Sequence, residues 1–261
     1  MSISAYALHD SATMLRRDLR HAVRYPMLAI GGLLVPVFLL LIFVGVFGNT
    51  LRAGLGASAG GGYIDYLTPG ILVMTAGASA AATAINVCID MNEGIVARFR
   101  TMAITRTSVL TGQVFGSLTR TLISAVLLVA VAIGLGFRAS ASPLEWLAVA
   151  GMFAMLTLAM TWLAIAFGLT AKTPAGANSL SLIPQFLPFI SSAFVPTASM
   201  PAGVRWFAEN QPFTPIINTL RGLLIGTPIG NSAIIAVAWC LVLMTAGYVW
   251  SRARYNRYVT R

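Results

Sequence analysis

The sequence predicts an all-α integral membrane protein with six transmembrane helices. Hydrophobic residues make up 57% of its 261 residues, charged residues make up only 9%, and the mean hydropathy is +0.83. Since a soluble domain carries about 25% charged residues, this composition indicates that a lipid bilayer is the solvent. The apolar residues also fall into runs long enough to cross a hydrocarbon core about 30 Å thick.

Basic residues separate these apolar runs in short clusters. Seventeen Lys and Arg against seven Asp and Glu give a net charge of +10. A nucleic-acid-binding surface gathers its positive charge into a patch or stripe, whereas membrane topology needs short basic clusters between spans. We therefore expect the lipid bilayer as the surroundings of the chain and no nucleic acid as a partner.

Residues 5–24 are predicted to form an amphipathic helix ahead of the first span. Its apolar stripe comprises Leu8, Ala12, Leu15, Leu19 and Val23, and Arg17, Arg20 and Arg24 face away from it. Such a basic helix is expected to lie in the cytosolic membrane interface, with contact to a cytosolic partner as the alternative. A span-length apolar run follows without a small-residue cleavage site, so we expect no signal peptide.

Six apolar runs are predicted to span the membrane. They cover about residues 26–47, 66–89, 118–137, 145–170, 179–195 and 232–250. Pro36 is expected to kink the first span. Small residues from Gly77 to Ala84 give the second span a face that allows close helix packing. The same face is compatible with a dimer interface or a substrate path, and periodicity does not separate these uses.

The third and fifth spans carry features that set their limits. Residues 107–120 are too polar for the middle of a membrane, so the third span is placed after them, with Arg120 reaching the cytosolic headgroups. A salt bridge from Arg120 to a neighbouring helix is the alternative. In the fifth span Pro184 and Pro188 each remove a backbone donor. They predict either a simple kink or a broken helix beside a cavity.

Residues 201–226 are predicted to form an external re-entrant hairpin between the fifth and sixth spans. Two short amphipathic pieces, Val204–Asn210 and Ile216–Leu224, lie on either side of Pro212. The first piece, extended to about 10 residues, gives about 15 Å of helix, half the hydrocarbon thickness. We therefore expect the hairpin to enter the outer leaflet and return.

The distribution of basic residues predicts that both termini are cytosolic. With this orientation thirteen of the seventeen basic residues lie on the cytosolic side, and only Arg52, Arg138, Arg205 and Arg221 lie outside. Arginine supplies sixteen of the seventeen, which together with the abundant Ala and Gly suggests a GC-rich bacterial genome.

The segment between the second and third spans is the most charged one between apolar runs. Residues 90–106 include two acids and three arginines, and a helix here places Met91, Ile95, Phe99 and Met102 on one face. Such an element lies flat on the lipid surface or docks into a cytosolic partner. The pattern alone favours an ordinary charged loop on the positive side of the membrane.

The residues expected of several function classes do not occur in the predicted spans. All seven acids lie in loops or near span ends, whereas a proton-coupled carrier usually has an intramembrane carboxylate or histidine. We find no Walker A sequence and no Ser/His/Asp set, and neither the two cysteines nor the two histidines have metal-ligand spacing. The remaining classes are a passive pore, a scaffold or the membrane half of a driven machine.

Two motifs resemble the type-2 ABC exporter permeases, in particular the bacterial daunorubicin-resistance group. EGIVARFRTMAITRTSVLTGQ, residues 93–113, is similar to the loop after the second span of that family. Ala97 and Ala103 depart from its pattern, which commonly has an acid and a proline there. Residues 200–226 are similar to the family's external re-entrant hairpin, with its Asn-x-Pro step at Asn210 and its Leu-Arg-Gly step at Leu220–Gly222.

The resemblance implies a role for each of these elements. Residues 90–104 would form a cytosolic coupling helix seated in a separate ABC ATP-binding subunit, and residues 5–24 a connecting helix beside it. The implied coupling residues are Glu93, Gly94, Arg98, Phe99, Arg100 and Arg106. Substrate would move outward along the interface with a second permease copy, between the second and fifth spans. Candidate path residues are Thr75, Ser79, Thr83, Asn86, Gln185, Ser191 and Ser192, and candidate external gate residues are Trp206, Phe207 and Asn210.

The expected function is therefore an exporter subunit for an amphipathic drug or lipid-like molecule in the bacterial inner membrane. The chain itself would hold no cofactor, since ATP and magnesium would bind to the partner subunit. An ion-coupled secondary carrier of the same size is the alternative, and a membrane-embedded enzyme is a third class. Loss of transport at one acidic residue irrespective of ATP would distinguish the carrier, and turnover in detergent without ATP or partner would distinguish the enzyme.

Overall fold

The computed structural model describes residues 26–48, 62–92 and 106–259, and the side chains of 34–48, 62–92 and 112–256. Every regular element within these ranges is a helix. The α-helices are α1 (Pro26–Gly45), α2 (Tyr63–Asn92), α3 (Arg106–Gly134), α4 (Pro143–Thr170), α5 (Pro174–Phe186), α6 (Ala202–Asn210), α7 (Phe213–Ile225) and α8 (Ser232–Val259). Two 3₁₀ turns, Leu187–Ile190 and Thr197–Ser199, lie between α5 and α6. The predicted connecting helix at 5–24 lies outside the described residues.

Four of these helices are long and apolar enough to cross a membrane. Within the side-chain-described part of the chain they are α2, α3 from Gly112, α4, and α8 as far as Asn256. Two shorter apolar helical stretches, Leu34–Gly45 in α1 and the whole of α7, accompany them. The chain is therefore an all-α, multi-pass membrane protein.

Helix α2 lies at the centre of the fold. It packs against α1, α3, α4, α5 and α7, and 72% of its most apolar window is buried within the chain. Helix α8 packs mainly on α4 and has only 17% of its window buried. An apolar helix needs no protein cover in lipid, so the exposed face of α8 is suited to contact with hydrocarbon.

Close helix packing in this core depends on glycines. A Cβ added to Gly168 of α4 would lie 2.6 Å from the carbonyl oxygen of Ala84 in α2. A Cβ added to Gly247 of α8 would lie 2.7 Å from the backbone nitrogen of Leu163 in α4. Both distances are too short for a real side chain, so these helix pairs touch through their backbones.

Local sequence signals explain where several helices begin and end. Helix α4 starts with a capping box, in which the Ser142 amide donates to Glu145 Oε2 at 2.6 Å and the Glu145 amide donates to Ser142 Oγ at 3.4 Å. Pro143 follows at the first helical position, where a missing N–H costs little. Helix α7 ends at Ile225, and its C-cap Gly226 has a φ of 72°, which suits a residue without a Cβ.

Two helices differ in extent from the predicted spans. Helix α3 begins at Arg106, well before residue 118, because its polar first turns find partners on neighbouring helices: the Gln113 side chain donates to Asp90 of α2 at 2.8 Å. Helix α5 ends at Phe186, inside the predicted fifth span of 179–195. Pro188 lies in the 3₁₀ turn that follows, and Ser191 caps that turn by donating to the Pro188 carbonyl.

Candidate functional site

A cluster of hydroxyl groups joins α2, α3 and α4 inside the bundle. Thr83 Oγ1 lies 3.0 Å from Ser117 Oγ, which lies 3.1 Å from Thr161 Oγ1. One helical turn from the Thr83–Ser117 contact, Thr121 Oγ1 donates to Ser79 Oγ. Four of the five side chains are fully or almost fully buried, and Ser79 is partly buried. Hydroxyl groups without water need such partners, so the cluster fixes the relative rotation of the three helices.

The structure does not bring the seven predicted path residues together at one site. Ser79 and Thr83 belong to the hydroxyl cluster, and Ser191 and Ser192 lie in the irregular segment after α5, residues 191–195. The other three share no single site: Thr75 donates to the Leu72 carbonyl of its own helix at 2.6 Å, Asn86 is exposed, and Gln185 packs on Gly77.

A buried cation lies where α2, α7 and the irregular segment after α5 meet. The Arg221 side chain is 6% exposed. Its Nη2 donates to the Ser192 carbonyl at 2.6 Å and to the Tyr66 carbonyl at 3.1 Å, and its Nη1 donates to Asn218 Oδ1 at 3.0 Å. The Tyr66 ring lies beneath the guanidinium, 3.8 Å from its carbon. We name this set of contacts the Arg221 clamp.

The Arg221 clamp was not predicted from the sequence, in which Arg221 counted among the external charges and within the Leu-Arg-Gly step. The signal available was a lone arginine in the middle of the apolar segment FTPIINTLRGLLI. A cation in such a segment is expensive to bury and is usually paired with carbonyls or with another charge.

The two helices within the predicted hairpin, α6 and α7, differ in burial. Ten of the thirteen residues of α7 are buried, whereas Ala208 is the buried residue of α6. The predicted gate residues Trp206 and Phe207 are 70% and 41% exposed. Asn210 is exposed and donates to the Trp206 carbonyl at 2.7 Å.

An ion pair lies along the exposed surface of α6. Arg205 Nε lies 2.8 Å from Glu209 Oε1, one helical turn away. The hydrogen bond from Arg205 lowers the pKa of the Glu209 carboxyl, and Thr197 donates to the same carboxylate. Pairs of this kind on an exposed helix contribute little stability, so the exposure of α6 itself is the more informative feature.

The C-terminal end of α2 is bonded to the turn between α4 and α5. Asn92 Nδ2 donates to the Lys172 carbonyl at 3.3 Å, and Cys88 Sγ donates to the Ala171 carbonyl at 3.6 Å. The next residues, 93–105, hold five of the six predicted coupling residues and lie outside the described ranges. Arg106 is the first residue of α3, and its side chain is not among those described.

Comparison with known proteins identifies the family. Residues 10–225 match the model of the ABC-2 type transporter family, so the chain belongs to that family. It is 26% identical over 227 residues to the "Daunorubicin resistance ABC transporter permease protein DrrB1" of Streptomyces coeruleorubidus, covering 85% of this chain and 77% of that protein. It is 25% identical over 229 residues to the "Probable doxorubicin resistance ABC transporter permease protein DrrC" of Mycobacterium tuberculosis, covering 84% and 80%. The predicted membership of the ABC exporter permeases is thus confirmed.

Proposed function

We propose that the chain is the permease subunit of an ATP-driven exporter that moves an amphipathic drug or lipid-like substrate outward across the bacterial inner membrane. The observation that carries this proposal is the family match over residues 10–225, together with relatives named as daunorubicin or doxorubicin resistance permeases. The apolar helices support a multi-pass position in the membrane. Daunorubicin is therefore the first substrate to test.

The energy for export comes, in this proposal, from a separate cytosolic ABC ATP-binding subunit. The sequence holds no Walker A motif, so ATP and magnesium would bind to that subunit. A second permease copy, identical or related, would complete the membrane part. Substrate would then pass between the two copies, beside the second and fifth predicted spans.

Residues 90–104 are proposed to form the coupling helix. Residues 90–92 are the last residues of α2, which ends at Asn92, and α3 begins at Arg106, so the rest of this segment lies between two long helices in the sequence. Phe99 would be its apolar anchor in the ATPase and Glu93 a charged contact, with Gly94, Arg98, Arg100 and Arg106 around them. Loss of a buried aromatic anchor costs about 2 kcal/mol or more. Phe99→Asp or Glu93→Arg should therefore abolish transport while leaving membrane insertion intact.

The proposed topology has six spans, cytosolic termini and an external hairpin at 201–226 that does not cross. Helices α6 and α7 have nine and thirteen residues. At 1.5 Å per residue these are about 14 and 20 Å long, short of a hydrocarbon core about 30 Å thick. The hairpin would cover the exit of the path, with Trp206, Phe207 and Asn210 as gate residues. A membrane anchor without a gating role is the alternative, and Trp206→Ala separates the two by changing, or not changing, the substrate profile.

Inverted membrane vesicles test the function. The chain is co-expressed with its ATP-binding partner, and daunorubicin uptake is followed with Mg-ATP, with a protonophore, and with a partner whose Walker A lysine is replaced by alanine. We expect uptake that needs ATP and the intact lysine and that persists with the protonophore. Uptake that continues without ATP and stops with the protonophore would instead establish an ion-coupled carrier.

Cysteine labelling tests the topology. Single cysteines replace Asn210 or Asn256 in a chain whose Cys88 and Cys240 are changed to alanine. An impermeant maleimide added to whole cells should label position 210 and not position 256. The reverse pattern would overturn both the orientation and the external hairpin.

A further inference from the structure

Arg221 is a buried cation held by neutral groups. Its polar contacts are the Tyr66 carbonyl, the Ser192 carbonyl and the Asn218 amide oxygen, and no carboxylate of the described residues lies within ion-pair distance of it. Burying a charge without an opposite charge is costly, so such an arrangement needs several hydrogen bonds to persist. The guanidinium provides them because its five N–H donors point in fixed directions.

The clamp connects three segments that are distant in sequence. Tyr66 lies in the second turn of α2, Ser192 follows the 3₁₀ turn after α5, and Arg221 lies in α7. The Tyr66 hydroxyl also donates to the Ser192 carbonyl at 3.0 Å, and Ser192 Oγ donates to Asn218 Oδ1 at 2.8 Å. Together with the bonds of the guanidinium itself, they connect each of the three segments to the other two, so moving any one segment breaks bonds to both others.

Contacts beside the clamp reinforce the same attachment. Gln211, just before α7, donates to the Ile190 carbonyl, and the Tyr63 hydroxyl donates to the Phe194 carbonyl at 3.3 Å. A Cβ added to Gly70 of α2 would lie 2.6 Å from the Cβ of Ala193. The irregular segment from residue 190 to 194 is therefore held by α2 on one side and by the α7 arm on the other.

We propose that Arg221 is a positioning residue for export. It fixes α7 to α2 and to the irregular segment after α5, so that the external hairpin follows the motion of α2. The inference rests on the proposed exporter function. It assigns the two arms of the hairpin different roles: α7 is the arm attached to the transmembrane bundle, and the exposed α6 is the arm that presents Trp206 and Phe207. Arg221 acts through these elements and touches no substrate.

Arg205 offers a matched control on the same hairpin. It is exposed on α6, and its partner is the carboxylate of Glu209 one turn away. Arg221→Gln and Arg205→Gln remove the same charge with the same substitution, but only the first breaks the clamp. Arg221→Lys is the conservative variant. It keeps the positive charge but lacks the planar guanidinium whose N–H groups donate to three oxygens at once.

Two measurements test the proposal in the assembled complex with its ATP-binding partner. The first is the coupling ratio, daunorubicin transported per ATP hydrolysed, in reconstituted vesicles. The second is the distance distribution between nitroxides at Gly203 of α6 and Gly151 of α4 in a chain whose two cysteines are replaced by alanine. Both glycines are exposed, and nothing lies within 4 Å of a Cβ added at either one, so both positions are suited to labels.

For Arg221→Gln we expect a coupling ratio about 2-fold to 30-fold lower, the range over which substitutions within a coupling network change the coupling. The distance distribution should broaden in the same variant, Arg221→Lys should lie between it and the wild type, and Arg205→Gln should match the wild type. If Arg221→Gln does not accumulate in the membrane, Arg221→Lys carries the test, with a lowered ratio and a broadened distribution expected.

A folded Arg221 variant with the wild-type ratio and a narrow distribution overturns the proposal, because Arg221 would then stabilise the chain and nothing more. An equal loss in Arg205→Gln also overturns it, since the effect would not belong to the clamp. If the wild-type complex shows no ATP-dependent uptake, the proposed function fails. The distance measurement still decides in that case whether Arg221 positions the hairpin: a distribution as narrow as the wild type's rejects that role.

Discussion

Replacing Gly168 by alanine tests the central packing of α4 on α2. An added Cβ would lie 2.6 Å from the Ala84 carbonyl oxygen and 2.9 Å from the Val87 Cβ. Carbon and carbonyl oxygen in contact are about 3.3 Å apart or more, so the helices must separate by about 0.7 Å at this point. A gap of about 0.5–1 Å forfeits a quarter to a half of the dispersion energy of each affected contact.

The same helix provides the control. Gly151 also lies in α4, and nothing is within 4 Å of a Cβ added there. Both substitutions raise the helix propensity by about 1 kcal/mol, so this contribution cancels when the two variants are compared. What remains is the cost of overpacking at Gly168, typically about 1–3 kcal/mol. Gly168→Ala should therefore unfold about 2–12 °C below Gly151→Ala, taking about 2–4 °C per kcal/mol for a chain of this size.

The two cysteines supply the assay. Cys88 and Cys240 are both buried, at 1% and 0% exposure, so a thiol-reactive fluorophore reports unfolding of the purified protein in detergent. The variants are heated at one scan rate, because the apparent midpoint depends on that rate when unfolding is irreversible. A midpoint for Gly168→Ala equal to or above that of Gly151→Ala would refute the backbone contact between α2 and α4.

Three further predictions concern single side chains. Thr83→Val should destabilise the bundle by about 0.6–1.7 kcal/mol, because it removes a hydrogen bond between two helices. The Thr119 hydroxyl bonds to its own helix, so Thr119→Val should change the stability by less. The thiol assay measures both variants. Ser142→Ala should cost about 1 kcal/mol by removing the cap of α4, seen as a lower midpoint. Because Arg205 lowers the pKa of Glu209, their contact is complete above pH 4.5 and is lost as the pH falls through the lowered pKa. A nitroxide on α6 should gain mobility only in that acidic range, and Glu209→Gln should abolish this pH dependence.

The helical, multi-pass architecture was predictable because it depends on local quantities. Run length and hydropathy decide whether a segment enters a bilayer, and caps such as Ser142 with Glu145 decide where a helix starts. The start of α3 was less predictable, because residues 107–117 look too polar for a bundle interior. Ser117 and Gln113 find partners on α2 and α4, and hydropathy contains no information about such partners.

The candidate site was less predictable still. Arg221 donates to a carbonyl 155 residues away and to another 29 residues away, and no periodicity within α7 indicates either contact. The predicted path residues show the same limit. Their polarity distinguishes Ser79, Thr83 and Ser192 from the apolar residues around them in the sequence, but whether such a hydroxyl lines a path or joins two segments depends on what lies opposite it.

Helix α2 is attached to the α5 region at three levels. At the C-terminal end of α2, Asn92 bonds to Lys172. Near the middle, Gly77 packs on Gln185, with an added Cβ 3.3 Å from the Gln185 Cα. At the N-terminal end, Tyr66 bonds to Ser192. Contacts at both ends of α2 and between them oppose the sliding of this helix relative to the α5 region. If residues 93–105 couple to an ATPase, the α2–α5 pair is thus the stiff connection from that segment to the Arg221 clamp. Arg221 is then where the motion of α2 passes to the hairpin, which is why a coupling ratio tests its role more directly than stability does.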